Sequence, residues 1–319
     1  MKNNQYFSPP YAGIPTFAKM PFLDINKMKE DKQYIGFFGI PYDMGTTDIP
    51  GARLGPRYIR LASTRFAYTK SNDLSGMTDQ NRIFYDIELN KQIFQDKKYA
   101  DFGDVEIITG NPKQSFLNIT ETIQNALQHK IIPICFGGDH AITSPILTAY
   151  HSMSDIVIFH LDAHMDYWNA QRNSEFDHSC SIFLASKMPQ ISNIFQFGIR
   201  GLNHPMSMRK DASQQKITTY TALELIEQYQ NIINSIPTDK KVYISLDVDF
   251  FDPSTAPRTS TPEEGGFDYR FAKKLLQDIT KKNTIIGADI VEVNPIIDES
   301  QRTSSLAARL SLDIVNMMT

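Results

Sequence analysis

The stretch Ile156-Val-Ile-Phe-His-Leu-Asp-Ala-His-Met-Asp166 joins an apolar run to an end rich in acid and histidine. The first part, 156–161, is short, β-branched and aromatic, which suits a buried strand. Similar runs recur at 34–40, 131–136, 194–199, 242–246 and 284–290. Between them lie stretches compatible with helices, at 56–66, 113–129, 140–150, 204–211, 221–236, 268–281 and 300–317. In one of these, Ile119, Ile123 and Leu127 repeat at helical spacing. Asp268 stands where it would cap the helix that comes after it. Strands alternating with helices predict crossover units around a mainly parallel sheet covered on both faces. The expectation is one three-layer α/β/α domain over 34–319, preceded by a proline-rich arm, 1–33, lying over its body. Residues 67–112 are polar, carry Gly76, Gly103 and Gly110, and read as a long irregular excursion.

Composition narrows the function. The chain has 319 residues, 41% of them hydrophobic, with 20 Phe and 14 Tyr, which excludes a disordered chain. A formal net charge of −4 gives no reason to expect a nucleic-acid partner. No apolar run reaches membrane-spanning length, and the start MKNNQYFSPPYAG lacks the apolar stretch of a secretory signal. A soluble cytoplasmic protein is expected, without a membrane partner. The two cysteines, Cys135 and Cys180, are not in a CxxC spacing. That excludes a disulfide framework and a thiolate zinc site. Cys135 falls in a strand run and reads as core, and a buried thiol is the commoner case for Cys180.

The chemistry gathers where strands end, the edge at which open parallel sheets bind ligands. Phe136-Gly-Gly-Asp-His140 lies after one strand, and Asp162, His164 and Asp166 lie after another. Asp247 and Asp249 close a third, within Ser245-Leu-Asp-Val-Asp-Phe-Phe-Asp252. Alternation places the members of each acidic set on one face of an extended chain. A lone His140 beside two glycines is usually a cap or a core residue, and a lone DxD is usually a solvated turn. All three segments together, each at a strand end, serve no packing need. Four carboxylates gathered at one site repel at neutral pH, and bound cations are the natural compensation. An oxygen-rich set with two imidazoles and no thiolate favours Mn²⁺, with Ni²⁺ or Co²⁺ possible. Six ligands suit two ions, with carboxylates bridging them.

At these residues the sequence resembles the ureohydrolases: arginases, agmatinases, guanidinobutyrases and formiminoglutamases. The matching motifs are GGDH (137–140), DAHMD (162–166), SLDVDFFDPSTAP (245–257), Gly287-Ala-Asp-Ile-Val-Glu-Val-Asn-Pro295 and Pro50-Gly-Ala-Arg-Leu-Gly-Pro-Arg57. The likeness covers roughly 34 to 315, and the arm Tyr11-Ala-Gly-Ile-Pro-Thr-Phe17 looks like the agmatinase and guanidinobutyrase branch. The resemblance implies an arginase-like fold and two Mn²⁺ per subunit. It puts His140, Asp162, Asp166 and Asp249 on one ion, and Asp162, His164, Asp247 and Asp249 on the other. It makes Glu292 the grip on a guanidinium and His178 a mobile acid/base residue. It also implies a homotrimer or homohexamer and a small guanidino substrate. Divalent ions make water acidic enough to attack near neutral pH. Asp166 would orient the remaining proton, Glu292 would pair bidentately with the guanidinium, and His178 would pass a proton outward. Urea and an amine would result. Agmatine is the first substrate to expect, then guanidinobutyrate or free guanidine, then formiminoglutamate.

The sequence departs from that family where tails are read. Ser179-Cys180 come directly after His178, and Ala256-Pro-Arg-Thr-Ser-Thr-Pro262 sets Arg258 and Ser260 where agmatinase-like chains carry Gly. Arg258 facing the site would favour an anionic tail and disfavour a cationic one. Turned outward, it would pair with Glu263 or Glu264 or meet a subunit interface. Trp168, the single tryptophan, and Asn169 beside it lie on the loop expected to line the pocket. Trp168 there either narrows the pocket for a very small substrate or anchors the loop. Two other classes are weaker. A single-metal deacetylase would not need His140 together with Asp166, and a non-catalytic regulator would not need all six ligands intact.

Overall fold

The structure is a computed structural model, and it describes residues 11–28, 33–70, 84–88, 90–93, 98–169 and 174–318. Its strands are β1 (Tyr34–Ile40), β2 (Phe84–Asp86), β3 (Lys91–Ile93), β4 (Lys98–Asp104), β5 (Ile131–Gly137), β6 (Ile156–Leu161), β7 (Ile191–Ile199), β8 (Ile217–Thr221), β9 (Lys241–Asp247) and β10 (Thr284–Val291). Its α-helices are α1 (Gly55–Ser63), α2 (Pro112–Gln128), α3 (Thr143–Thr148), α4 (Ser181–Ser186), α5 (Met208–Ser213), α6 (Ala222–Glu227), α7 (Tyr229–Ser235), α8 (Tyr269–Thr280) and α9 (Arg302–Met317). Eight strands form one sheet in the order β4-β1-β5-β10-β9-β6-β7-β8, and every neighbouring pair is parallel. β2 and β3 form a separate antiparallel hairpin.

The central strands are buried on both faces, as their continuous apolar runs require. One apolar cluster joins the sheet to α1 and α6 through α9, and the other joins it to α2 through α5. This is the three-layer α/β/α architecture read from the sequence. Asp268 caps α8 as expected, its side chain accepting from Phe271 N at 2.8 Å. The predicted helix 221–236 is broken between α6 and α7, and 140–150 opens with a 3₁₀ turn at His140–Ile142 before α3.

Three local expectations change. The described part of the arm does not merely lie over the body. Phe17 is fully buried, its ring 4.3 Å from Phe37 and 4.9 Å from Phe136, and its N–H donates to Asp101 Oδ2 at 2.7 Å. The excursion 67–112 contains β4, an edge strand of the main sheet. Its sequence KYADFGD has little β propensity; pairing with β1, and Asp101 gripped by Arg60 at 2.7 and 2.9 Å, hold it. β8 is the other edge strand, in a segment left unassigned between two helices. Gly76, residues 1–10 and residues 29–32 lie outside the described residues.

Although β5 and β6 are consecutive in the chain among the sheet strands, β10 and β9 lie between them. The β5-to-β6 connection therefore skips two strand positions, which β9 and β10 fill later, and the C-terminal strand ends are where such sheets bind ligands. Among the described residues, no helix is long and apolar enough to cross a membrane.

Candidate metal centre and active-site cleft

At the end of β5, a Cβ on Gly138 would stand 1.8 Å from the Tyr42 carbonyl oxygen, so only glycine lets the chain pass there. Asp139 then caps the 3₁₀ turn, accepting from Ala141 N at 3.1 Å, and the turn delivers His140. His140 Nδ1 lies 3.1 Å from Asp162 Oδ2, 3.0 Å from Asp166 Oδ2 and 3.2 Å from Asp247 Oδ2. It is buried without a hydrogen-bond partner. The other ring nitrogen, Nε2, is 2.9 Å from Ser245 Oγ, which donates to Asp289 Oδ1 at 2.8 Å. A second group forms around His164, whose Nδ1 is 2.9 Å from Asp249 Oδ2 and 3.6 Å from Asp162 Oδ1. Asp162 belongs to both groups.

The side chains group differently from the sharing that the resemblance implies. Asp247, not Asp249, stands with His140. The strand ends at Asp247, and the next residues wind into a 3₁₀ turn, Val248–Phe250, so the acids do not stay on one extended face. Asp247 accepts from Asp249 N, while Asp249 Oδ1 accepts from Ala163 N at 2.9 Å and Oδ2 turns to His164. Asp162 and Asp166 likewise converge through a turn: β6 stops at Leu161 and Asp166 has φ +46°.

The electrostatics are those of too many acids in one place. Burial, then Asp249 and Asp162, push the Asp247 carboxyl well above the usual range. Burial and Asp162 push Asp249 up to about 6. Burial opposes charging His140, but Asp166, Asp162 and Asp247 outweigh it and raise the ring well above its ordinary value. His164 rises to about 11, burial again being outweighed by Asp249. Without another cation, the site balances its charge by holding protons. A divalent ion fits the same donor set. Octahedral ions with bonds near 2.1 Å have ligand–ligand edges of about 3 Å, close to the 3.0–3.2 Å separations around His140 Nδ1.

A cleft of about 560 Å³, counted with its open mouth, lies over these groups. His164, Asp166, Asp247, Asp249, His178 and Trp168 all line it. Glu292, just past β10 at φ +63°, lies behind His178 and is 1% exposed. Its Oε1 accepts from His140 N and faces His178 Nδ1, both at 3.0 Å, and its Oε2 accepts from Ser260 Oγ at 2.9 Å. His178 Nε2 is 2.8 Å from Thr47 Oγ1. Burial disfavours a charged His178, but Glu292 outweighs it and lifts the ring to about 9. Burial would raise Glu292, yet His178 holds it below the usual range.

Trp168 is half-buried on the cleft wall, as expected of its loop. Arg258 and Asn169 are exposed, and neither is among the described residues lining the cleft. The reading of Arg258 as a contact to the substrate's tail is therefore not met. Thr259 and Ser260 are the buried members of that turn, and Arg258 is left outward. Sequence reasoning missed His160, Ser245 and Asp289 beneath the site, and Thr47, Asn203 and His204 on the cleft wall; it marked Ser260 as a departure but not as a partner of Glu292. His160 and Ser245 were signalled by period: each lies two residues before a ligand aspartate on a strand run.

Residues 33–316 match the arginase family. The chain belongs to the arginase family. An agmatinase from Blochmanniella floridana is 34% identical over 281 residues, 87% of this chain and 86% of that relative. The crystal structure of a hypothetical agmatinase from Burkholderia thailandensis has a TM-score of 0.79 at 28% identity, covering 97% of this chain and 91% of that one. The proclavaminate amidino hydrolase from Streptomyces clavuligerus has a TM-score of 0.80 at 26% identity, covering 98% and 99%. This arginase-family chain is a hydrolase of amidino C–N bonds, on the agmatinase-like branch of the ureohydrolases.

Proposed function

We propose that this hydrolase cleaves a small guanidino compound to urea and an amine at a two-ion centre, with agmatine the first substrate. The observation that carries the reading is the pair of carboxylate–imidazole groups sharing Asp162 at the floor of a cleft. His140, Asp166 and Asp247 would hold one ion, His164 and Asp249 the other, and Asp162 both. Mn²⁺ is the first candidate and Ni²⁺ or Co²⁺ the alternatives, because the donors are oxygens and imidazoles. When bound, the ions supply Lewis acidity and an acidic water.

The chain's own residues supply the rest. Asp166 opens onto the cleft and can hold a proton beside the reacting carbon. Glu292 can accept two guanidinium N–H groups in a charge-assisted pair, but in the resting chain His178 and Ser260 engage its oxygens. Entry of a guanidinium therefore requires the His178 ring to leave Glu292. Released from Glu292, the ring is free to pass a proton between the leaving amine and solvent. Among the described residues lining the cleft there is no Lys or Arg to pair with a carboxylate tail. Similarity to agmatinases supports agmatine as the first substrate to test. A homotrimer or homohexamer is the assembly to expect from the resemblance, and light scattering reads it directly.

The test is urea release by the Mn²⁺-loaded enzyme from agmatine, 4-guanidinobutyrate, 3-guanidinopropionate, arginine and guanidine. Turnover of agmatine or guanidine is expected. Preference for a guanidino acid would overturn the reading of the tail. Silence with every substrate, repeated with Ni²⁺, Co²⁺ and Zn²⁺, would remove guanidino hydrolysis.

A further inference from the structure

One row of the sheet is polar where the rows around it are apolar. Parallel register sets Thr219 beside Gln196, Gln196 beside His160, His160 beside Ser245, and Ser245 beside Asp289. All five are buried. Burying polar groups is costly unless they are paired, and here they are paired in a definite order. The Ser245–Asp289 half ends on His140. The other half ends on Asp162, and no step of the reaction uses it.

The hydrogen positions along that half are fixed by one atom. The Gln196 side chain places Nε2 at 2.7 Å from the Met165 carbonyl oxygen, which only accepts, so a donor is required there. The same nitrogen lies 3.1 Å from His160 Nδ1, and its second hydrogen points to that ring atom. Thr219 Oγ1 donates to Gln196 Oε1 at 2.9 Å, which agrees with this orientation. His160 Nδ1 therefore accepts, and the neutral ring carries its proton on Nε2. That nitrogen is 2.9 Å from Asp162 Oδ2. The approach is bent, so neither atom completes a regular hydrogen bond, and the N–H dipole against the carboxylate carries the contact.

We propose that Thr219, Gln196 and His160 form a positioning relay that turns an N–H of His160 onto Asp162 and keeps His160 out of the ion's own ligand shell. The inference rests on the two-ion reading of the site. Proximity alone would count His160 as a ligand, because it lies within reach of His140, Asp162 and Asp166. A ring nitrogen that bears a proton has no lone pair for an ion. Asp162 is the carboxylate common to both groups, so its orientation governs both. Partners one layer behind metal ligands typically set affinity by about 10- to 100-fold.

The experiment loads the full-length enzyme with Mn²⁺, counts ions per chain by mass spectrometry, and then titrates EDTA while tracking the metal retained. Gln196→Leu and Gln196→Glu are expected to bind two ions at saturation, as the parent does, but to release them at about 10- to 100-fold lower chelator. Glutamate should act as strongly as leucine, because an ionised carboxylate cannot donate to Nδ1. Thr219→Val should shift release less, and Thr219→Ser, which keeps the hydroxyl, should not shift it. Gln196 variants that hold metal as tightly as the parent would overturn the relay. So would His160→Phe losing one ion while keeping the other at parental strength, since the ring would then be a ligand. If the Gln196 variants do not fold, equal release by Thr219→Val and Thr219→Ser overturns it instead. Failure of the two-ion reading shows earlier and separately, as a parent that binds fewer than two ions.

Discussion

Asp247 ends β9 with one carboxylate oxygen on its own turn and the other facing His140. Replacing it with Ala should remove metal and activity together, read as ions per chain and urea release. A fully loaded, active Asp247→Ala enzyme would sink its place in the centre. His178 is the opposite case, since it touches Glu292 and Thr47 but holds no ion in this reading. His178→Gln should lower kcat by about 100-fold or more while metal content stays parental. The same residue carries a pH signature. Its folded pKa, about 9, lies above the ordinary 6.5. The stability it contributes is fully present below about 6.5 and is lost as pH rises through about 9. The Tm difference between parent and His178→Gln should therefore shrink across that window. A difference that grows would show that the Glu292 contact is not what raises the ring. Asp166 and Glu292 both hold positive φ, a conformation that costs a non-glycine residue energy. Motif reading locates both residues, but the strain that aims them is imposed by the tertiary packing of the turns beyond β6 and β10.

At the level of elements, the central strands were legible because burial on both faces writes a continuous apolar run. β5, β6, β9 and β10 appear in the sequence within a residue or so of their observed ends. β4 was not legible: KYADFGD carries a buried acid whose partner, Arg60, lies 41 residues away. The arm was only partly legible, for a related reason. Its prolines mark an irregular chain, but they say nothing of where Phe17 goes. Phe17 packs between rings from β1 and β5, so it behaves as core. Phe17→Ala should cost about 3–5 kcal/mol, read as a lower urea midpoint with an unchanged slope. A loss below about 1 kcal/mol, no larger than one buried methylene, would return the arm to the surface.

For the whole molecule, charge in the centre couples metal to folding. In the metal-free chain burial and Asp162 push the Asp249 carboxyl up to about 6, against 3.8 for a free carboxyl, and burial and Asp249 push Asp247 well above its ordinary value too. Stability from their protonated forms is fully present below the ordinary carboxyl value and is lost as pH rises through about 6. Bound ions replace those protons. The Tm gap between Mn²⁺-loaded and EDTA-treated enzyme should therefore widen as pH rises from about 5 to about 8. A constant gap would mean that the ions do not relieve carboxylate repulsion. The sequence alone determined the α/β/α class, the strand ends where acids and histidines gather, the six residues proposed as ligands and the family resemblance. These are local properties: hydrophobic period, glycine at a tight turn, and acids and imidazoles at short spacing. Only the tertiary structure decided that Asp247 joins His140, that Glu292 hides behind His178, that Arg258 faces solvent, and that a polar row supports Asp162. Each of these depends on which strands become neighbours and in what register, and that is set by packing between segments far apart in the chain.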